Sequence, residues 1–157
     1  MYNQEGSVTV RGTALLFIAI VMVLIMAGGV ALAASRTQVI GLRCDAPGDD
    51  NKNLNAEYAV VKNLSTKSVL LAGWRIHDAG KTHIYTFPAG FKLGPKAQGR
   101  KSVVWVHTGK GTQKLGKLHW DLYWGQGSAV WNNPPAGDTA TLRTRTGVLV
   151  DSAPCGL

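Results

Sequence analysis

The feature that most restricts the fold of this chain is a series of short apolar runs, separated by turn residues, from Thr37 onwards. In the run EYAVVKN, Tyr58 and Val60 fall on one face of an extended strand, and Ala59 and Val61 fall on the other. Gly and Pro lie between the runs, where strands cannot use them. About eight short strands with a turn roughly every ten residues indicate an all-β sandwich. The predicted strands are residues 37–43, 57–63, 69–71, 74–78, 83–87, 102–106, 138–143 and 148–152.

An uninterrupted apolar segment, Thr13 to Ala34, precedes the strands. Its roughly 20 residues are enough to span a bilayer as one helix. It also has the parts of a signal peptide, with Arg11 before it and an Ala-x-Ala site that ends at Ala33. We expect cleavage after Ala33, which would release the domain as a secreted protein; an uncleaved segment would leave it as a single-pass, membrane-anchored protein. Both alternatives place the domain in the cell envelope or outside the cell.

Without this segment roughly 120 residues remain, which is the size of a single domain with one two-layer core. We therefore divide the chain into residues 1–35, the N-terminal hydrophobic helix, and residues 36–157, the sandwich domain. Two cysteines, Cys44 and Cys155, lie near the two ends of that domain. An even number of cysteines in an exported domain predicts a disulfide, which would stabilise the fold by ~4 kcal/mol in the chain-entropy model.

Several motifs follow one another in the order of a lamin tail domain, and the chain resembles the bacterial, exported members of that family over nearly all of residues 38–153. The motifs are NLNAEYAVVKN (Asn53 to Asn63), LAGWRIHDAG (Leu71 to Gly80), THIYTFP (Thr82 to Pro88), VHTGKGT (Val106 to Thr112), DLYWG (Asp121 to Gly125), SAVWNN (Ser128 to Asn133) and GDTATLR (Gly137 to Arg143).

The resemblance implies an immunoglobulin-like β-sandwich that acts as an interaction or attachment module, without catalytic residues of its own. One departure is LGPKAQGRK, at residues 93–101, where the family usually has a tight Leu-x-Pro-Gly turn and this chain has a longer, basic loop. Membership of a fold family does not fix the ligand, because function resides in sites grafted onto folds.

The net charge of +8 belongs to the domain, because Arg11 and Glu5 cancel in the N-terminal segment. Such a surface favours polyanions such as nucleic acid, acidic wall polymers or anionic lipid; the alternative is a solvated surface with no dedicated partner. We interpret two basic clusters as a polyanion-binding surface, with the first crowning one end of the sandwich. They consist of Lys92, Lys96, Arg100 and Lys101, and of Lys110, Lys114 and Lys117.

The second basic cluster belongs to the longest irregular stretch, residues 108–137, which is unusually long for a loop in a compact domain. Its aromatic residues have two interpretations: a stacking surface for sugars or unpaired bases, or a hydrophobic cap that holds the loop against the sandwich. Because DLYWG and SAVWNN belong to the family pattern, we favour the cap. The aromatic residues are Trp120, Tyr123, Trp124 and Trp131, and we place Trp74 in the sandwich core.

The loop from Asp45 to Glu57 is rich in Asp and Asn, whose oxygens are the ligands that Ca²⁺ requires. Its spacing does not match an EF-hand, and the same residue types are turn formers, so calcium binding stays an alternative. The histidines are His77, His83, His107 and His119, which we interpret as surface or hydrogen-bonded residues. The sequence contains no HExxH, GxSxG, P-loop or GxGxxG motif. We therefore expect no enzyme activity, no metal, no cofactor and no small-molecule substrate.

These observations lead to one principal hypothesis and two alternatives. The first is an exported or membrane-anchored interaction module with a basic surface for DNA or cell-wall polymer. The second is a structural envelope protein that pairs with a protein partner through an exposed edge strand. The third is a small hydrolase with an unrecognised site. Salt dependence separates the first two, because binding to phosphates weakens steeply with salt and strand pairing does not.

Overall fold

Alternation of apolar and polar residues generates two main sheets that pack face to face in the computed structural model, which describes residues 36–156. This confirms the predicted immunoglobulin-like β-sandwich. The strands are β1 (Thr37–Arg43), β2 (Tyr58–Asn63), β3 (Val69–Leu70), β4 (Arg75–His77), β5 (Ile84–Thr86), β6 (Lys92–Leu93), β7 (Val103–His107), β8 (Lys114–Leu115), β9 (Trp120–Tyr123), β10 (Thr139–Arg143) and β11 (Leu149–Pro154).

The larger sheet has five strands in the order β1-β2-β7-β9-β8. All neighbours are antiparallel except β7 and β9, which run parallel with Val106 opposite Leu122. A β-bulge between Val39 and Gly41 leaves Ile40 without a partner on β2. Because side chains alternate with a period of two, this extra residue lets both Val39 and Leu42 point into the core.

The second sheet has four antiparallel strands in the order β11-β10-β4-β5. A separate two-stranded sheet pairs β3 with β6, with Val69 opposite Leu93. Pro88 follows β5 and Gly90 takes a φ of 74° in the turn before β6, a conformation that favours glycine. The Asn63 side chain at the end of β2 donates to the Gly94 carbonyl just after β6 at 2.8 Å, so the small sheet lies at that end of the sandwich.

The core lies between the two main sheets and is built from the inward faces of their strands. Trp74 is buried just before β4, which confirms its predicted place in the core. Trp124 and Trp131 pack edge to face with a centroid distance of 5.7 Å. The largest fully buried apolar side chains are Phe87, Leu42, Leu71, Ile76, Leu93, Leu122, Leu142, Val61, Val104 and Val106.

One edge of the sandwich is closed by the first and the last strand. The Val39 amide donates to the Asp151 carboxylate at 2.9 Å, and the Gly156 amide donates to the Leu42 carbonyl at 3.1 Å. The predicted disulfide joins Cys44 to Cys155, with their Cα atoms 5.7 Å apart. The strands β1 and β11 therefore tie the two sheets together where both would otherwise end in an open edge.

The expectation of an irregular stretch over residues 108–137 was wrong in part, because β8 and β9 lie within it. Strand β6 was also not predicted. In the described range, helical structure is limited to the short 3₁₀ segments Asp50–Lys52, Leu54–Ala56 and Lys96–Ser102. Residues 36–156 contain no helix long and apolar enough to cross a membrane. The apolar segment from Thr13 to Ala34 and the cleavage site after Ala33 lie outside the described residues.

Candidate functional site

The strand directions give the sandwich two ends with different loops. β1 begins at Thr37 and its antiparallel partner β2 ends opposite it at Asn63. β7 and β9 also begin at this end, because β7 is antiparallel to β2 and parallel to β9. In the second sheet Arg143, at the end of β10, pairs with both Arg75 and Leu149. The hydrogen bond from Val39 on β1 to Asp151 on β11 places the Arg143 end of the second sheet beside the Thr37 end of the first. This end of the sandwich therefore contains loops from distant parts of the sequence.

Most basic side chains of the domain lie at this end, whereas six of the eight Asp and Glu residues in 36–156 lie at the other. The remaining two are Asp121, whose carboxylate lies beside Gly116, and Asp151, which accepts from the Val39 amide. We call it the basic end. All its basic side chains are exposed except Lys62 and Arg143, which are half-buried. The basic residues are Arg36, Lys62, Lys67, Arg75, Lys92, Lys96, Arg100, Lys101, Lys117, Arg143 and Arg145.

The unusual loop at residues 93–101 is an ordered part of the basic end. The Lys96 amide donates to the Ser65 carbonyl at 2.9 Å, and the Gly94 amide donates to the Lys101 carbonyl at 2.8 Å. The Ser102 hydroxyl donates to the Gly99 carbonyl at 2.6 Å and closes the 3₁₀ segment. These hydrogen bonds fix the backbone of residues 94–102, and the basic side chains of this segment are exposed to solvent.

A contact between Arg100 and Gly116 joins the two predicted clusters. The Arg100 guanidinium donates to the Gly116 carbonyl at 3.3 Å. This places Lys117 beside Arg100, although the two are far apart in the sequence. The predicted residues Lys92, Lys96, Arg100, Lys101 and Lys117 therefore share one end of the fold.

The remaining two predicted polyanion-binding residues lie elsewhere. Lys110 is at the opposite end, where its carbonyl accepts a hydrogen bond from the Asn55 amide at 3.0 Å and where it lines a shallow depression with Asn51. Lys114 lies on the edge strand β8, directly opposite Asp121 on β9. The structure therefore does not bring these two lysines together with the basic end.

The opposite end of the sandwich holds six of the eight acidic residues in residues 36–156. These carboxylates serve the loops: Asp49 accepts from the Asn51 amide at 3.1 Å, and Asp50 accepts from the Ala46 amide at 2.9 Å and from the Asn133 side chain at 2.6 Å. Asp138 accepts from the Ala79 amide at 2.9 Å. The acidic residues at this end are Asp45, Asp49, Asp50, Glu57, Asp78 and Asp138.

Glu57 is a fully buried carboxylate at this acidic end. Its two oxygens accept hydrogen bonds from the backbone amides of Val130 and Trp131, at 3.1 and 2.9 Å. Burial raises the pKa of Glu57, and the nearby Asp50 charge raises it further. The two amides lower the pKa, as does the Thr108 hydroxyl, which lies beside the carboxylate without hydrogen-bond geometry. Glu57 thus anchors the SAVWNN loop; it has no open path to a ligand.

The histidines occur in two separate places. His77 and His83 flank the β4–β5 hairpin, but His77 accepts from Arg143 at 3.2 Å whereas His83 faces Asp78 at 3.4 Å. His107 and His119 both direct Nε2 to one oxygen of Asp121, at 3.1 and 3.2 Å. Throughout residues 36–156, no group of three or more His, Cys, Asp or Glu side chains has the geometry to hold a metal ion.

An aromatic stack on the outer face of the five-stranded sheet was not recognised from the sequence. Trp105 lies between Tyr58 and His119, with ring centroids 4.2 and 4.1 Å away. Tyr123 stacks on His107 at 5.0 Å, so it belongs to this face and not to the core-side cap. Because both faces of the Trp105 ring are covered, a base or sugar cannot stack on it. Trp120, Trp124 and Trp131 pack against the core, as the cap interpretation predicts.

Exposed apolar residues at the basic end were also missed. They are Leu70, Leu118, Val148 and Leu149, with 60, 76, 61 and 56% of their surface exposed. A signal for the basic end was present in the sequence: no acidic residue occurs from Ala79 to Trp120. The other loops at that end could not be predicted, because the strand order and directions that bring them there are not encoded in local sequence patterns.

Comparison with known families agrees with this architecture. The family model described as Lamin Tail Domain matches residues 33–155, which contain all of the strands β1 to β11 and both cysteines. The search of curated proteins gave no match. Since the matched range covers most of the sequence, the chain belongs to the lamin tail domain family.

Proposed function

We propose that this protein is an exported or membrane-anchored interaction module that binds anionic polymers, such as DNA or cell-wall polymer, through its basic end. Family membership indicates an immunoglobulin-like interaction module, and the positions of the charges suggest its ligand. The observation that carries the proposal is the uneven distribution of charge along the sandwich, with most basic residues at the Thr37 end and most acidic residues at the other.

Segregation matters more than net charge for such a function. A cluster of one sign raises the local potential and attracts a polyanion, whereas the same charges mixed with carboxylates would largely cancel. At the basic end the side chains come from several loops, and the Arg100–Gly116 hydrogen bond and the 3₁₀ segment hold two of these loops in place. The polyanion therefore meets a surface that is already ordered.

Export is supported by two features. The disulfide between Cys44 and Cys155 is of the kind that persists in oxidising compartments. The apolar segment from Thr13 to Ala34 has the length and flanking residues of a signal peptide or anchor.

The test measures binding of DNA and of isolated cell-wall polymer across a salt series. The variant Lys96→Glu/Arg100→Glu/Lys101→Glu reverses charge at the basic end. We expect it to bind at least tenfold more weakly than wild type, with a shallower dependence on salt, because each phosphate contact contributes roughly 0.7–0.9 to the slope.

The matched control is Lys52→Glu/Lys81→Glu/Lys110→Glu, which makes the same charge change on exposed residues of the opposite end. We expect this control to retain most of the affinity and the wild-type slope. Equal loss in both variants would mean that only net charge matters, and no binding by wild type at low salt would reject a polyanion ligand.

One observation favours pairing with a protein partner as a second candidate. Strand β5 is an edge of the four-stranded sheet, and its Ile84 is exposed. It is only the three residues Ile84–Thr86 long, so it offers few backbone groups to an added strand. Partner binding that is insensitive to salt and lost on replacement of Thr86 by Pro would support this alternative.

A further inference from the structure

We propose that the polyanion bound by the basic end is the surface of an anionic lipid bilayer. This inference rests on the polyanion-binding function proposed above and names the partner of the same surface. It follows from the apolar side chains that protrude among the basic ones, since a soluble polyanion gives an exposed leucine nothing to bury against.

Three separate places at the basic end combine an exposed apolar residue with a basic one. Leu70 on β3 lies opposite Lys92 on β6. Leu118 directly follows Lys117 in the turn between β8 and β9. Val148 lies in the turn between β10 and β11, which also carries Arg145. Because these three places come from unrelated parts of the chain, the pairing is a property of this end and not of one sequence segment.

The protruding residues are held by their loops and are not part of the core. The Gly116 amide donates to the His119 carbonyl at 2.8 Å and closes the turn that presents Leu118. The Arg143 guanidinium donates to the Gly147 carbonyl at 2.9 Å and braces the turn before Val148. Both turns therefore hold an apolar side chain outward, where it costs exposure to water in the free domain.

The distribution of exposed apolar side chains is as uneven as that of charge. Of the large hydrophobic side chains that are exposed in residues 36–156, all but Ile40 and Ile84 lie at the basic end. Basic residues attract anionic headgroups, and apolar side chains beside them enter the boundary between headgroups and acyl chains. The acidic opposite end is repelled by the same surface, so the contact has one orientation.

The test uses residues 35–157, which contain all of the described strands and the disulfide, after a cooperative thermal transition has shown that this part is folded. Its partitioning is measured on vesicles of phosphatidylglycerol and phosphatidylcholine, and on vesicles of phosphatidylcholine alone. We expect at least tenfold stronger binding to the anionic vesicles. The variant Leu118→Ser/Val148→Ser retains every charge, and we expect it to lose at least tenfold in binding to anionic vesicles while its binding to DNA stays unchanged.

The matched control, Ile40→Ser/Ile84→Ser, removes two exposed apolar side chains away from the basic end and should bind vesicles like wild type. If anionic vesicles bind no better than neutral ones, or if Leu118→Ser/Val148→Ser has no effect, the membrane inference is wrong. Retained DNA binding in that case leaves the polyanion-binding function standing. If the wild-type domain binds neither DNA nor vesicles, both the membrane inference and the polyanion-binding function are wrong.

Discussion

At the scale of single residues, the buried carboxylate of Glu57 shows how a polar side chain organises this fold. It lies just before β2 and receives two amide hydrogen bonds from the SAVWNN loop, more than 70 residues later in the chain. Leaving two amides unpaired in the interior would cost more than burying one carboxylate that satisfies both. The aromatic cap around Trp131 therefore depends on Glu57 for its position.

We expect Glu57→Gln to lower the free energy of unfolding by about 1–3 kcal/mol, because the amide nitrogen cannot accept from the second backbone N–H. The pKa of Glu57 is raised above 4.5 in the folded protein. As pH rises from 4.5 to that raised value, the folded protein keeps a proton that the unfolded chain has lost, so wild-type stability falls. The variant lacks this fall, and the difference between the two proteins should be larger at pH 4.5 than at pH 8.

Urea unfolding at several pH values measures this difference. The exposed Asp49→Asn is the control, and its stability should stay within about 0.5 kcal/mol of wild type. A Glu57→Gln protein as stable as wild type at every pH would show that the carboxylate does not hold the loop.

Residue types alone could not reveal the partners of the other buried groups. His107, His119 and Asp121 were visible in the sequence as polar residues near aromatics, but nothing local showed that two imidazoles share one carboxylate oxygen. That contact depends on the parallel pairing of β7 with β9, which places His107 opposite Tyr123. Asp121 follows the same register.

At the scale of elements, the longer strands were predictable, whereas of the three two-residue strands only β3 was predicted. β1 was predicted with its observed bounds, because its seven residues form a run of strand-forming residues long enough to be recognised despite the bulge. β6 and β8 have two residues each and show no period at all. Each exists because a partner strand lies beside it, so its signal is in the tertiary structure.

The disulfide acts at this scale, because it fastens β1 to β11 at the acidic end. Cys44 and Cys155 are 111 residues apart in the sequence. A cross-link over a loop of this length stabilises the folded state by roughly 4–5 kcal/mol in the chain-entropy model. We expect Cys44→Ser/Cys155→Ser to lose most of that amount in urea unfolding, and reduction of wild type to have the same effect. Unfolding midpoints that do not change with reductant would mean that the hydrogen bonds between β1 and β11 already hold this edge.

At the scale of the whole molecule, the fold sorts charges that are mixed along the sequence. The basic residues of the first cluster, Lys92, Lys96, Arg100 and Lys101, were predicted to share one end because they are neighbours in the chain. Arg36, Lys67 and Arg145 join them only because of the strand directions. Lys110 was grouped with Lys114 and Lys117 from proximity in the sequence, but Lys110 lies beside Asn55 at the acidic end, whereas Lys117 lies beside Arg100 at the basic end. The charge pattern of a sandwich is thus decided by which end each loop occupies.

A second property of the whole molecule is that one core serves both sheets. We expect residues 35–157 to unfold in a single cooperative transition, in which tryptophan fluorescence and far-ultraviolet circular dichroism report the same midpoint. Three of the five tryptophans, Trp120, Trp124 and Trp131, lie in residues 108–137, so the fluorescence is weighted towards this stretch, and the dichroism reports on the sheets. Separate midpoints would show that the loop over residues 108–137 unfolds independently of the sandwich.

The disulfide between the first and the last strand also decides how the domain carries mechanical force. A pull between residue 36 and residue 156 passes along β1 to Cys44, across the sulfur bridge, and out through Cys155. The 111 residues of sequence separation inside the bridge are shielded from that pull, and roughly 380 Å of chain stays stored while the bridge is intact. With the bridge intact, the domain therefore responds to such a pull as a short, nearly inextensible link.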